Sequence, residues 1–206
     1  MTQAQSLDEY IAELQGKLAQ NPTCGNHHYN LGVALLSKGD FLEAERAFHE
    51  ALNNSPTLVE ALIQLGGIAM HRGDLDGCLN YNKQAAETRP MFAVPHGNMG
   101  FVYMQKGDVT NAAKALERAV KLDPNFVQAL ATLGNAYLLE GDVERCIDKC
   151  NKALELQPMF GPAWNNLALA YLESGDNAKA VECIDKAVET GFEVHPDLLK
   201  QIDQLR

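Results

Sequence analysis

Apolar residues recur along the chain in short stripes at helical spacing, and a Gly-Asp pair separates successive stripes at regular intervals. A glycine just past a helical run supplies the left-handed backbone that ends a helix. An aspartate after it accepts hydrogen bonds from the free N–H groups of the next helix. Each pair therefore predicts a tight turn between two helices. The pairs lie 34 residues apart, at Gly39-Asp40, Gly73-Asp74, Gly107-Asp108, Gly141-Asp142 and Gly175-Asp176.

Prolines follow the same 34-residue period and predict the end of the second helix in each repeat. They are Pro22, Pro56, Pro90, Pro124 and Pro158. A fixed period of this length indicates a solenoid, so we expect one elongated all-α domain rather than two globular ones. The predicted repeats are residues 25–58, 59–92, 93–126, 127–160 and 161–194. Residues 1–24 and 195–206 are predicted to contain amphipathic helices that cover the two ends.

Large and small residues recur at fixed places within each repeat. The fifth repeat shows the set best, as Trp164, Leu167, Ala168, Tyr171, Ala180 and Ala187. This pattern resembles the tetratricopeptide repeat, and the resemblance covers residues 25–194. It implies a right-handed α-solenoid of five tandem helix–turn–helix repeats with capping helices at both ends. Three residues depart from the pattern: Phe192 replaces a closing proline, and Asn82 and Cys150 replace large apolar residues.

The resemblance also implies a concave groove lined by the first helix of each repeat. Positions 2, 6, 9 and 13 of a repeat lie opposite its packed stripe, and neither these positions nor the flanking positions 5 and 12 carry Lys or Arg. Position 6 is mostly an amide residue, with apolar residues beside it. The partner-binding residues predicted for this groove are Asn30, Val33, Gln64, Met70, Asn98, Phe101, Met104, Thr132, Asn135, Asn166 and Leu169.

The absence of basic residues from the groove disfavours acidic partners. Chaperone-binding members of the family hold an acidic C-terminal tail with Lys, Arg and Asn, so a carboxylate clamp is disfavoured here. Phosphate-rich ligands are disfavoured for the same reason. Amide side chains both donate to and accept from a peptide backbone. We therefore expect the partner to be a protein or peptide that offers a neutral or apolar segment, in extended or helical form.

Two glycines inside first helices, Gly67 and Gly97, allow two interpretations. Each costs about 1 kcal/mol of helix stability relative to alanine, so the presence of glycine at these positions requires a structural or functional explanation. The first interpretation is close packing between helices. The second is an anchor pocket for an apolar side chain, beside Met70, Phe101 and Met104.

Composition excludes several other functions. A net charge of −10 and a pI near 5.0 argue against nucleic-acid binding. No apolar run is long enough to insert into a membrane, and the N-terminal residues do not resemble a signal peptide, so a cytoplasmic location is expected. Five cysteines without a regular short spacing predict free thiols.

The sequence offers no catalytic motif, and we expect neither an enzyme nor a cofactor. Cys146 with Cys150, and Cys24 with His27 and His28, lack the further ligands that a metal site needs, so packing is the better interpretation. The leading hypothesis is a protein-interaction scaffold or assembly factor. The alternative is self-association, in which another copy fills the groove or an end of the solenoid.

Overall fold

A computed structural model describes residues 3–206, with side chains from residue 6 onward, and these residues form twelve α-helices. Contacts divide the chain into two compact units, Met1–Met91 and Phe92–Arg206, where the sequence predicted a single domain. We call them the N-terminal unit and the C-terminal unit. Each consists of antiparallel helix pairs joined by tight turns.

The N-terminal unit begins with one helix and continues with two helix pairs. Its helices are α1 (Gln3–Gln20), α2 (Gly25–Lys38), α3 (Phe41–Asn54), α4 (Val59–His71) and α5 (Leu75–Thr88). Ile11 and Leu14 of α1 are buried and pack with Ala34 of α2. The apolar stripe predicted for the first helix therefore contacts the first helix pair.

The C-terminal unit contains three helix pairs and ends with a short helix. Its helices are α6 (Ala93–Gln105), α7 (Val109–Leu122), α8 (Val127–Leu139), α9 (Val143–Leu156), α10 (Gly161–Glu173), α11 (Asn177–Glu189) and α12 (Pro196–Asp203). Leu198 and Ile202 of α12 are buried in the same core as Ile184 of α11. The terminal helix thus covers apolar residues of the last pair.

The turns within the helix pairs have the geometry that the Gly-Asp period predicted. All five glycines adopt the left-handed conformation, with φ between 73° and 85°. Each following aspartate caps the next helix. In the third repeat, for example, Asp108 Oδ1 accepts a hydrogen bond from the Asn111 N–H at 3.2 Å. The left-handed glycines and the capping aspartates therefore determine the turn positions through local interactions.

The helix pairs of the first four repeats cross closely at the glycine in position 8 of the repeat. A Cβ atom on Gly32 would lie 2.6 Å from the ring of Phe48, and one on Gly100 would lie 2.4 Å from Leu116 Cγ. The residue opposite this glycine is position 24, where Asn82 departs from the family pattern. Asn82 is fully buried, and its Nδ2 donates to the Cys78 carbonyl at 2.8 Å, so its amide is satisfied within the core.

Tyr137 of α8 ties together three helices of the C-terminal unit. Its hydroxyl donates to Glu117 Oε1 at 2.8 Å, and the Arg145 guanidinium lies 4.0 Å above its ring. Burial, followed by the hydrogen bond to Glu117, raises the pKa of Tyr137 to about 12. The phenol therefore stays protonated at neutral pH and keeps its bond to the carboxylate.

We predict that Tyr137→Phe lowers the free energy of unfolding by about 1 kcal/mol at pH 8, because Glu117 loses a donor. The pKa of Tyr137 is higher in the folded chain than in the unfolded one. Its contribution is therefore complete below pH 10 and disappears as the pH rises towards about 12. Urea unfolding of both proteins at pH 8 and at alkaline pH measures the difference. Tyr171→Phe is the control, since the Tyr171 hydroxyl has no hydrogen bond to any described residue. Equal losses in both variants would contradict this role.

Candidate functional site

A cavity of 220 Å³ lies among α6, α8 and α10, the first helices of the three pairs in the C-terminal unit. No charged side chain contributes to its wall, which combines apolar groups with amides and one hydroxyl. The lining residues are Phe101, Met104, Gln105, Gln128, Ala131, Thr132, Asn135, Phe160, Pro162 and Asn166. The cavity therefore presents an uncharged surface of mixed polarity.

Five of the eleven residues predicted from the groove pattern line this cavity. They are Phe101, Met104, Thr132, Asn135 and Asn166. Two more lie elsewhere in the same unit as half-buried residues, Asn98 on α6 and Leu169 on α10. The other four belong to the N-terminal unit: Asn30 and Val33 are exposed on α2, and Gln64 and Met70 are half-buried on α4.

Two of the predicted polar contacts are already used within the protein. Asn166 is only 8% exposed, and its Nδ2 donates to the Ala131 carbonyl at 3.0 Å, which ties α10 to α8. The Thr132 hydroxyl donates to the Gln128 carbonyl at 2.8 Å, within α8. One N–H of the Asn166 amide and the Thr132 hydroxyl proton are therefore used in hydrogen bonds within the protein.

Three other amides around the cavity are uncommitted. Gln105 and Gln128 are exposed and Asn135 is half-buried, and none of their side chains has a hydrogen bond to a residue that the structure describes. Gln105 ends α6, Gln128 lies in the first turn of α8, and Asn135 lies two turns further along α8. These three amides occupy positions 13, 2 and 9 of their repeats, and none of them stands at position 6.

Phe160 is a wall residue that the groove pattern missed. It is the residue just before α10 and occupies the last position of its repeat, outside the first helix on which the prediction concentrated. A signal was present in the sequence, because the last position of the first four repeats is always apolar: Leu58, Phe92, Phe126 and Phe160.

The structure separates the two interpretations of the helical glycines. A Cβ atom on Gly97 would lie 2.7 Å from Phe126 Cε1, so the ring of Phe126 occupies the space beside this glycine. Close packing is therefore the correct interpretation for Gly97, and the anchor-pocket interpretation is wrong there. Gly67 differs, since beyond the adjacent residues and backbone of its own helix no described atom lies within 4 Å of the place where its Cβ would stand.

The cysteines are free thiols, and all except Cys24 are buried. The interaction of the Cys150 thiol with Cys146, together with burial, raises the pKa of Cys150 well above the usual range of a thiol. The described residues contain no group of His, Cys, Asp or Glu side chains arranged to hold a metal ion. His28 Nε2 lies 2.8 Å from the Pro22 carbonyl, which gives it a structural role.

In the described part of the chain, none of the helices has the length and hydropathy needed to cross a membrane.

Sequence profiles of known families match more than half of the chain. A profile described as "TPR repeat" matches residues 100–141. Profiles described as "Tetratricopeptide repeat" match residues 28–58, 127–160 and 149–182. The chain belongs to the tetratricopeptide repeat family. The predicted fold class, an all-α tetratricopeptide solenoid, is also confirmed.

Several solved structures are similar to this chain in fold. "Crystal structure of MamA" matches with a TM-score of 0.68 and 28% identity, over 78% of this chain and 94% of that one. YrrB, titled "a TPR protein with an unusual peptide-binding site", matches with a TM-score of 0.74 and 18% identity, over 93% of this chain and 97% of that one. PilW, titled a "widely conserved type IV pilus biogenesis factor", matches with a TM-score of 0.76 and 20% identity, over 88% and 85%. No curated protein matches the sequence significantly. Membership of the tetratricopeptide family supports a protein-interaction scaffold.

The two helical glycines of this tetratricopeptide protein give a matched pair of variants. We predict that Gly67→Ala raises the free energy of unfolding by up to about 1 kcal/mol, because alanine favours the helix and meets no neighbour. We predict that Gly97→Ala lowers it by about 1–3 kcal/mol, because the Phe126 ring must move. Thermal or urea unfolding compares the two directly. Equal stabilisation by both substitutions would show that Phe126 does not pack against Gly97.

Proposed function

We propose that this tetratricopeptide protein is an interaction scaffold or assembly factor that binds a neutral or apolar segment of a partner protein at the cavity among α6, α8 and α10. The observation that carries the proposal is the composition of the cavity wall. Ten residues from three helices and one turn meet there, and none of them is charged. Such a wall favours an occupant without a net charge, because a buried charge would have no partner.

The size of the cavity favours one side chain of a protein over a small-molecule ligand. Pockets for drug-sized ligands usually measure about 300–1,000 Å³. The cavity measures 220 Å³ and lies open between helices, which suits an anchor residue that projects from a longer chain. Phe101, 39% exposed, and Met104 supply apolar surface that such an anchor would cover.

The absence of cations in the wall also argues against acidic partners. A terminal carboxylate or a phosphate needs Arg, Lys or several N–H donors to replace its hydration. The wall has no basic side chain, and the Asn166 amino group already donates to Ala131. Partners held through an acidic C-terminal tail are therefore disfavoured. The proposal rests on this chemistry and not on YrrB or PilW, whose similarity extends to the fold alone.

A displayed library of linear peptides tests the proposal. We predict that selection on the full chain enriches peptides with an uncharged stretch around one Leu, Met or aromatic residue. We predict that Phe101→Ala combined with Met104→Ala weakens their binding about tenfold or more, measured by fluorescence anisotropy. Leu42→Ala is the control, since Leu42 is 59% exposed in the N-terminal unit and should leave the affinity unchanged. Enrichment of acidic C-terminal peptides, or unchanged affinity in the double variant, would contradict the proposal.

Self-association is the second candidate function. The observation that favours it is the exposure of two large apolar side chains at the start of α3, Phe41 at 37% and Leu42 at 59%. Light scattering over a concentration series tests it. We predict a rise in mean mass with concentration that Leu42→Ser reduces. A constant monomer mass over that series would remove this candidate.

A further inference from the structure

We propose that a second cavity, in the N-terminal unit, binds an arginine side chain of a partner protein. This cavity measures 340 Å³ and lies where the ends of α3 and α5 meet the start of α4. Its lining residues are Leu52, Asn53, Pro56, Leu62, Gln84, Glu87 and Thr88. None of them stands at a groove position of the first helices, so the inference goes beyond the function proposed above.

The lining carries a carboxylate, that of Glu87, which the described protein does not neutralise. Glu87 is exposed and forms no hydrogen bond or ion pair with any residue that the structure describes. Lys83 precedes it by one helical turn but neither lines the cavity nor pairs with it. Arg89 does not line the cavity either, and its Nη1 donates to Glu60 Oε1 at 2.8 Å. A cation from a partner can therefore pair with the Glu87 carboxylate without displacing one of the protein's own.

The other polar groups of the lining can accept hydrogen bonds from such a cation. The side-chain amides of Asn53 and Gln84 are exposed and have no hydrogen bond to a described residue, so their oxygens are available. The Thr88 hydroxyl donates to the Gln84 carbonyl at 2.8 Å, which leaves its oxygen as an acceptor. A guanidinium offers more N–H donors than an ammonium group does, and it holds them in a fixed plane. Acceptors spread over two helices therefore suit arginine better than lysine.

Two helix C-termini also favour a cation at this place. Asn53 lies in the last turn of α3, and Glu87 lies in the last turn of α5. The carbonyl end of a helix carries a partial negative charge that a nearby cation stabilises. Neither of these last turns contains a basic residue, whereas α7 has Lys121 at the position equivalent to Asn53 and Glu87. The chain thus leaves the ends of α3 and α5 without the cation that it supplies to α7.

The fifth repeat shows that a cation fits at the equivalent place. Position 26 is Gln84 in the second repeat and Lys186 in the fifth, and position 4 changes from Leu62 to Trp164. Lys186 Nζ lies 4.6 Å from the centroid of the Trp164 ring, so this lysine places its charge over position 4. In the second repeat an uncharged amide stands at position 26 and the cavity is open. A partner's arginine would supply there the cation that Lys186 supplies in the fifth repeat.

The apolar part of the lining suits the stem of the same side chain. Leu52 is half-buried and Leu62 is 4% exposed, and Pro56 lies in the turn that joins α3 to α4. The methylene groups of an arginine pack along apolar surface of this kind while its charged end stays in a polar environment. The lining therefore offers contacts to both parts of the side chain.

Titration with capped amino acids tests the chemistry of the cavity. We predict that N-acetyl-arginine amide shifts the NMR signals of the Asn53 and Gln84 side-chain amides in the full chain. N-acetyl-citrulline amide, its neutral isostere, should bind about tenfold more weakly, because it cannot form an ion pair with Glu87. Glu87→Gln should weaken arginine binding by a similar factor. Glu50→Gln makes the same change on an exposed residue of α3 outside the lining and should have no such effect. Equal binding of arginine and citrulline, or full arginine affinity in Glu87→Gln, would overturn the proposal.

A substitution that fills the cavity from within gives an independent measurement. Gln84→Lys introduces the residue type that Lys186 provides at position 26 of the fifth repeat, so its ammonium group should compete with the added arginine. We predict about tenfold or more weaker binding of N-acetyl-arginine amide to this variant. Gln157→Lys makes the same change of charge at the exposed residue after α9 and should leave binding unchanged. Undiminished binding to Gln84→Lys would contradict the proposed site.

Peptide selection determines whether a protein supplies the arginine. The full chain carrying Phe101→Ala and Met104→Ala is used, because these changes remove apolar wall from the cavity among α6, α8 and α10 and make the result independent of the function proposed there. We predict that the enriched peptides share an arginine and bind about tenfold or more weakly after Glu87→Gln. Enrichment without arginine, or replacement of that arginine by lysine at no cost, would refute the assignment. A wild-type mass that rises with concentration and loses this rise in Glu87→Gln would identify a second copy, and not a separate partner, as the occupant.

Discussion

Close contact between the two helices of each repeat is the constraint on which the other features depend. In the third and fourth repeats, the glycine at position 8 leaves room for one side chain of the second helix. A Cβ atom on Gly100 would lie 2.4 Å from Leu116, and one on Gly134 would lie 2.6 Å from Cys150 Sγ. The first helices α6, α8 and α10 of these pairs meet in the C-terminal unit, and the cavity lies among them.

The chemistry of the cavity follows from how its polar groups are divided. Some of them hold the protein together, as Asn166 does when it donates to the Ala131 carbonyl between α10 and α8. Others, including Gln128 and Asn135, have no partner in the described structure. The first group uses hydrogen bonds within the protein, and the second group adds amides without a protein partner to the wall. The uncharged partner segment proposed for this cavity is compatible with both groups.

The departures from the family pattern have packing explanations in the structure. Asn82 and Cys150 both stand opposite a position-8 glycine, where other repeats carry Phe48 or Leu116. Asn82 satisfies its amide on the Cys78 carbonyl. The interaction with Cys146, followed by burial, raises the pKa of the Cys150 thiol, which keeps its proton. Both residues are fully buried, so their polar groups contribute to the core and not to the site.

The sequence by itself determined the repeat period, the helices, the turns and the absence of Lys and Arg from the groove positions of the first helices. These properties depend on backbone conformation and spacing within one repeat, as the left-handed glycines and capping aspartates show. Tertiary structure alone decided that Phe126 fills the space beside Gly97, that Phe160 forms a wall, and that contacts divide the chain into two compact units. It also turned Asn166 inward while leaving Gln128 open. The physical reason is that these outcomes depend on which side chains meet across different helices, and a periodic pattern does not contain that information.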